Sequence, residues 1–361
     1  MDKNRVAWID FARVLAIISV VVCHAIEIYF FDVWTGKISA TSFNWYFGQI
    51  LYSLGRLGVP FFLMITGTLM LGRTFDIKKF YKNSLLPLFI TTEIWTVISY
   101  FYGMWYYSLQ FDIKDFVGNI LFLKSSPLNH MWYMPMILGI YLVLPFVANA
   151  LKGVDFKNIC LPILFGFIVF SMMEIYNAFA GQIITQLPPA QFKIDVSFLG
   201  GFYGLIMILG YFVSNKKILA RCPKWVLIVV FAVSFIINTL LAKFFYNRSI
   251  FSVKVFVWYT SPFIIVSAIC LFEILRRMPI EKNSKVVTLI SKGSFTIYLT
   301  HQLVLLLMDS LLNKIPAFFE IGVVLQTFIR FTLSFGIPVL FVWIADKLPF
   351  PRMKKLLLFM K

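Results

Sequence analysis

The sequence predicts an all-α integral membrane protein, a polytopic bundle of about ten transmembrane helices with both termini in the cytoplasm. Three observations carry this reading. The 361 residues are 60% hydrophobic and only 14% charged, with a mean hydropathy of +0.85, far from the balance of a soluble domain. Apolar runs recur along the whole chain, each near the ~20 helical residues needed to cross a ~30 Å hydrocarbon layer. Lys and Arg are gathered in short clusters between the runs, and the clusters on alternate sides differ in size. The ten-residue alternating segments of a β-barrel are missing.

The runs lie at 8–30, 46–71, 84–108, 131–150, 158–179, 196–214, 224–245, 253–276, 287–312 and 320–345. An even number places both termini on one side. That side's tails and loops hold 22 Lys and Arg against eight on the other, so it is the cytoplasmic one. The net charge of +17 therefore belongs to inner loops, and nucleic acid is not expected as a partner. Lys3 and Arg5 before an apolar run imitate a signal peptide. Asp10 and Arg13 interrupt that run and no small-residue cleavage site follows, so it reads as an uncleaved first span. No loop is long enough for a soluble domain, and 1–361 reads as a single transmembrane domain. The longest connection, 109–130, is apolar enough to dip back into the interface as a short helix. Cys23, Cys160, Cys222 and Cys270 are scattered, which predicts neither a disulfide framework nor a metal site.

The first span carries Asp10, Arg13, His24 and Glu27. Ionisable groups in a bilayer cost at least ~2.5 kcal/mol each near its centre unless paired or watered, so a mere anchor would not keep them. At 100° per residue, the eleven steps from Arg13 to His24 return to within about 20° of one face, some ~16 Å along the axis. One stripe thus holds a cation toward the cytoplasm and an imidazole toward the outside. Asp10 lies three residues before Arg13, within reach of a salt bridge. Glu27 lies three after His24, within reach of orienting the ring.

The second span reads Gly55-Arg56-Leu-Gly58-Val-Pro60-Phe-Phe-Leu-Met-Ile-Thr66-Gly67. Small residues at helical spacing with a proline predict a close-packed, kinked helix. Arg56 either snorkels to the outer interface or serves a site. The fourth span opens with Asn129-His130-Met-Trp132-Tyr133 at the outer surface, where Trp and Tyr are what an interfacial belt provides. The ninth contains Ser294-Phe-Thr-Ile-Tyr298-Leu-Thr-His301, placing a histidine well inside the membrane, where it should face the bundle.

Taken in order, these elements resemble the membrane-bound acyltransferase-3 family, whose members O-acylate sugars of surface glycans. The resemblance rests on Asp10-x-x-Arg13, His24 eleven residues later, Gly58-Val-Pro-Phe-Phe with Thr66-Gly67, His130-x-Trp132-Tyr133, and Ser294 with Tyr298 and His301. The stand-alone common-antigen O-acetyltransferases look most similar. Thr66 stands where many members have Ser, keeping the hydroxyl.

The resemblance implies a multi-pass enzyme of the bacterial inner or plasma membrane, surrounded by membrane lipids. It would move an acyl group, specifically acetyl, from acyl-CoA (acetyl-CoA) to a hydroxyl of a cell-surface glycan or lipid-linked sugar. No bound cofactor or metal is implied. His24 matches the family's essential histidine and Arg13 its partner basic residue, with Glu27 beside them as the third catalytic candidate. Arg56 matches the basic position before the Gly-Val-x-Phe-Phe run. Asp10, Arg56, His130, Trp132, Tyr298 and His301 are the candidate substrate-binding residues. The chemistry agrees: an alcohol attacking a thioester needs a base, and an imidazole with an ordinary pKa near 6.5 suits that task. Arg13 and the basic residues from Arg73 to Lys82 suit the donor's phosphates. The rival reading is a transporter or glycan exporter, because buried Arg, His and Glu also build proton relays.

Overall fold

The computed structural model describes residues 6–180, 182–184, 186–190, 201–281 and 283–349. Lys3, Arg5, Lys193, Lys282, the basic residues from Arg352 onward, and residues 196–200 of the sixth expected span lie outside them. The protein is all-α. Among the described residues there is no strand, only an isolated bridge between Ala180 and Ile184. In chain order the helices are α1 (Ala7–Trp34), α2 (Ser42–Gly55), α3 (Gly58–Met70), α4 (Ile77–Phe80), α5 (Leu86–Tyr107), α6 (Ile113–Ile120), α7 (Tyr133–Ala150) and α8 (Phe156–Phe167). Then come α9 (Met173–Phe179), α10 (Gly201–Ser214), α11 (Lys224–Tyr246), α12 (Val253–Phe256), α13 (Pro262–Arg276), α14 (Lys285–Leu312), α15 (Pro316–Glu320) and α16 (Val323–Lys347). A π turn joins α4 to α5 (Tyr81–Leu85) and another joins α8 to α9 (Ile168–Met172).

Eight helical stretches among the described residues are long and apolar enough to cross a membrane, and they fall on eight of the ten expected runs. The other two runs yield shorter helices. Run 253–276 is interrupted by the turn before Pro262, which starts α13 at its first position and leaves it 15 residues. Run 196–214 yields α10, which has 14 residues. The 109–130 connection contains the short helix expected of it, α6, capped by Asp112, whose carboxylate accepts from the Lys114 N–H at 2.7 Å.

The chain divides into two compact units, Met1–Arg73 with Phe146–Asn283, and Thr74–Pro145 with Ser284–Lys361. The first unit is built on α1, against which α2 and α3 lie, while α10 covers α3 and α13 lies beside α11. Close approach is what the glycines supply. A Cβ at Gly55 would strike the backbone of Cys23 in α1, and one at Gly67 would overlap the Met207 carbonyl of α10. Helix association in a membrane relies on such contacts, because lipid tails are as apolar as leucine. The surface follows the same logic: Trp225, Ile228, Ile236 and Leu240 of α11 point outward, whereas Gln49, Ser53, Arg56 and Asn238 are buried.

In the second unit α14 lies along α16, with Gly293 against Val342. A buried ion pair joins them. Arg330 donates to Asp309 from Nε and from a terminal nitrogen, both at 2.8 Å, while Asn313 donates to the other Asp309 oxygen at 3.0 Å. The π turn ahead of α5 sits just before Pro87, which has no N–H to continue an ordinary helical ladder.

The close crossing of α3 and α10 gives a direct test. Gly67→Val should destabilise the protein by at least the ~1–3 kcal/mol typical of overpacking, read as a lower thermal unfolding midpoint in detergent. Gly336→Ala, where an added Cβ meets nothing within 4 Å, should leave the midpoint unchanged or raise it.

Candidate active site

The site in the first unit begins with a broken helix. Pro60 has no N–H to donate to the carbonyl of Arg56, and its ring would collide with that carbonyl in a continuous helix. The second span accordingly stops at Gly55 and restarts at Gly58, with Arg56 and Leu57 between. Gly55 and Gly58 on either side press against α1, at Cys23 and at the Ala16 carbonyl. Arg56 is thereby set beside the C-terminal half of α1, only 3% exposed.

There it meets His24 and Glu27. The His24 Nδ1 lies 2.7 Å from one Glu27 carboxylate oxygen. The Tyr52 hydroxyl donates to the other at 3.0 Å, and a terminal nitrogen of Arg56 stands 3.7 Å from that same oxygen. Arg56 also donates to the hydroxyls of Tyr52 and of Tyr259, the latter at 2.9 Å. Its guanidinium lies over the rings of Tyr52, Trp258 and Tyr259, with centroids 4.5, 4.9 and 5.0 Å away. A cation in this setting requires a counter-charge, which Glu27 supplies. An ionised carboxylate can only accept, so the short contact makes His24 Nδ1 the protonated nitrogen and leaves the neutral ring's lone pair on Nε2.

Three turns toward the start of α1, Asp10 and Arg13 pair at 3.5 Å. The Asp10 side chain is 5% exposed and that of Arg13 is 30% exposed. Arg56 does not snorkel. It is committed to Glu27 and two tyrosines.

The second unit holds a buried cluster of its own. A 3-10 turn, Asn129–Trp132, precedes α7 and presents His130, which is 1% exposed. The Tyr298 hydroxyl donates to the His130 carbonyl. His301, one turn beyond Tyr298 and fully buried, has Nδ1 2.6 Å from the Tyr298 carbonyl. The rings of His130 and His301 are 5.3 Å apart and nearly perpendicular, and Tyr133 packs edge-on against Tyr298 at 5.4 Å. His130 and His301, read from the sequence as an outer-mouth and a deep histidine, are thus brought side by side, the backbone entering α7 being pinned by Tyr298. Trp132 closes that turn, its ring 6.1 Å from Tyr133. No group of three His, Cys, Asp or Glu able to hold a metal ion occurs among the described residues.

The acyltransferase-3 family model, described as an acyltransferase domain, matches residues 6–346. The chain belongs to this family. It is a multi-pass membrane acyltransferase, and the match runs from the start of α1 to the penultimate residue of α16. No curated protein and no solved structure matches the chain.

Within this acyltransferase, the residues that sequence reasoning missed are those around Arg56. Tyr52 was legible, since it precedes Arg56 by one helical turn. Trp258 and Tyr259 follow Arg56 by about two hundred residues and carry no local signal. Asp309, the partner of Arg330, was hidden in the same way. All of them serve charges that the bilayer would otherwise expel.

The cluster predicts strong coupling between Glu27 and Arg56. Glu27→Gln leaves a buried guanidinium without its counter-charge and should cost ~3–5 kcal/mol, whereas adding Arg56→Met to it should recover much of that stability. Thermal unfolding of the purified single and double variants checks this. Additive losses would show that the pair is not coupled.

Proposed function

We propose that this membrane acyltransferase moves an acetyl group from acetyl-coenzyme A to a hydroxyl of a cell-surface or lipid-linked glycan, with His24 as general base. The observation that carries the reading is the His24–Glu27 contact of 2.7 Å, with Glu27 held in turn by Tyr52 and Arg56. An imidazole whose Nδ1–H is engaged by a carboxylate presents Nε2 to a proton, and the carboxylate stabilises the imidazolium that forms.

The acceptor's O–H proton passes to Nε2 as its oxygen attacks the thioester carbonyl. The C–S bond breaks as the tetrahedral intermediate collapses, and the imidazolium returns its proton to the departing sulfur. Atoms and charge balance with no further reactant. Arg56 belongs to this account as a positioning residue, since it acts on His24 through Glu27 and Tyr52. Arg13, with Asp10 at 3.5 Å steadying it, is assigned to the donor's phosphates, supported by the exposed Arg73. The excess of basic residues on that side of the spans supports a cytoplasmic donor entrance in the bacterial inner or plasma membrane. His130, Trp132, Tyr298 and His301 are assigned to substrate binding in the second unit, with the two histidines acting together because their rings are adjacent.

Labelled acetyl transfer from acetyl-coenzyme A to glycan by the purified protein tests the proposal. His24→Ala should lower the rate by ~10²–10⁴-fold without changing donor binding, the range for a lost general base. Arg13→Ala should instead raise the donor KM, and Arg13→Lys should restore part of the affinity because a point charge replaces the fork. Undiminished transfer by His24→Ala would sink the catalytic assignment. A wild type that moves glycan across a membrane with no acyl transfer would make the protein an exporter.

A further inference from the structure

In the unit formed by Thr74–Pro145 and Ser284–Lys361, the start of α5 and the facing stretch of α7 leave an apolar groove of about 530 Å³. That volume lies in the range of small-molecule sites. Three features show how it is made. Gly139 sits in the middle of α7, yet an added Cβ there would meet nothing within 4 Å, unlike Gly67, Gly210 or Gly293, whose added Cβ atoms would strike a neighbouring helix. The groove is thus a gap that the missing side chain leaves open. The π turn Tyr81–Leu85 widens α5 where it lines the groove, and the Tyr81 hydroxyl donates to the Leu142 carbonyl at 2.8 Å, tying the two walls together.

The groove opens outward. Leu86, Phe89 and Leu142 in its walls are 49%, 44% and 54% exposed, on spans whose apolar surface the bilayer must cover. One cation lines it, the exposed Lys82. Lys78 and Lys79 stand one turn earlier, also exposed, so three ammonium groups fall within five residues. The nearby acid, Asp76, is engaged in capping α4 by accepting from the Lys79 N–H at 3.1 Å. An apolar slot open to lipid, with a cation in its wall and two more beside it, is complementary to a molecule that joins a hydrocarbon chain to an anionic headgroup.

We propose that this groove binds an anionic phospholipid of the surrounding membrane, one acyl chain lying across Gly139 and the phosphate on Lys82. A zwitterionic lipid would fill the same slot but bring its own ammonium toward three lysines.

Native mass spectrometry of the full chain in detergent, titrated with phosphatidylglycerol and phosphatidylcholine of identical chains, tests this. The wild type should retain phosphatidylglycerol at least about fivefold more tightly, the preference expected from one basic residue near an anionic headgroup. Lys82→Glu should abolish that preference while leaving phosphatidylcholine unaffected. Gly139→Leu fills the slot and should weaken both lipids. Gly139→Ala, for which there is room, should do so more mildly and keeps the test valid if the leucine disturbs folding. Equal affinity of the two lipids for the wild type, or retention unchanged by either Gly139 substitution, would overturn the proposal. Displacement of phosphatidylglycerol by soluble glycerophosphate at the same concentration would also overturn it, since the site would then recognise phosphate without the chain.

Discussion

A buried guanidinium in a membrane protein must be neutralised, and one end of the first unit is arranged around meeting that demand for Arg56. Glu27 supplies the charge, Tyr52 and Tyr259 accept hydrogen bonds, and three aromatic faces surround the remaining cation. The helix break that exposes Arg56 to these partners follows from Pro60, and the close approach to α1 follows from Gly55 and Gly58. His24 benefits from this arrangement. Its ring is oriented by a carboxylate whose other oxygen is held by Tyr52 and Arg56, which turns a flexible side chain into a fixed one.

The second unit solves a similar problem with different parts. Asp309 and Arg330 neutralise each other between α14 and α16, assisted by Asn313 and by Gln326, which accepts from Arg330 at 3.3 Å. Earlier in α14, the Tyr298 hydroxyl and the His301 Nδ1 rest on backbone carbonyls, the former on that of His130. Polar groups thus turn inward while leucine, phenylalanine and tryptophan cover the outside, the arrangement a bilayer imposes.

How much of this the sequence disclosed depends on the range of each interaction. The fold class was legible because hydropathy and length are properties of contiguous residues, and so were the Asp10–Arg13 and His24–Glu27 pairs, which are helical neighbours. The break near Arg56 was announced by Pro60. One expected span came out short because Pro262 restarts the helix inside it, a boundary that hydropathy alone does not mark. The partners of Arg56 in α12's neighbourhood, the adjacency of His130 and His301, and the Asp309–Arg330 pair depend on which helices meet. Only the three-dimensional packing supplies that information, and no window along the chain contains it.

The central claim is that Glu27, held by Arg56 and Tyr52, fixes the protonated nitrogen of His24. The chain has only three histidines, so ¹⁵N NMR of the histidine-labelled protein in bilayers can read each ring, with His24 assigned by its loss in His24→Ala. The account predicts that neutral His24 carries its proton on Nδ1 and that Glu27→Gln shifts the ring toward a mixture of tautomers. A wild-type His24 protonated on Nε2, or a spectrum indifferent to Glu27→Gln, would contradict it.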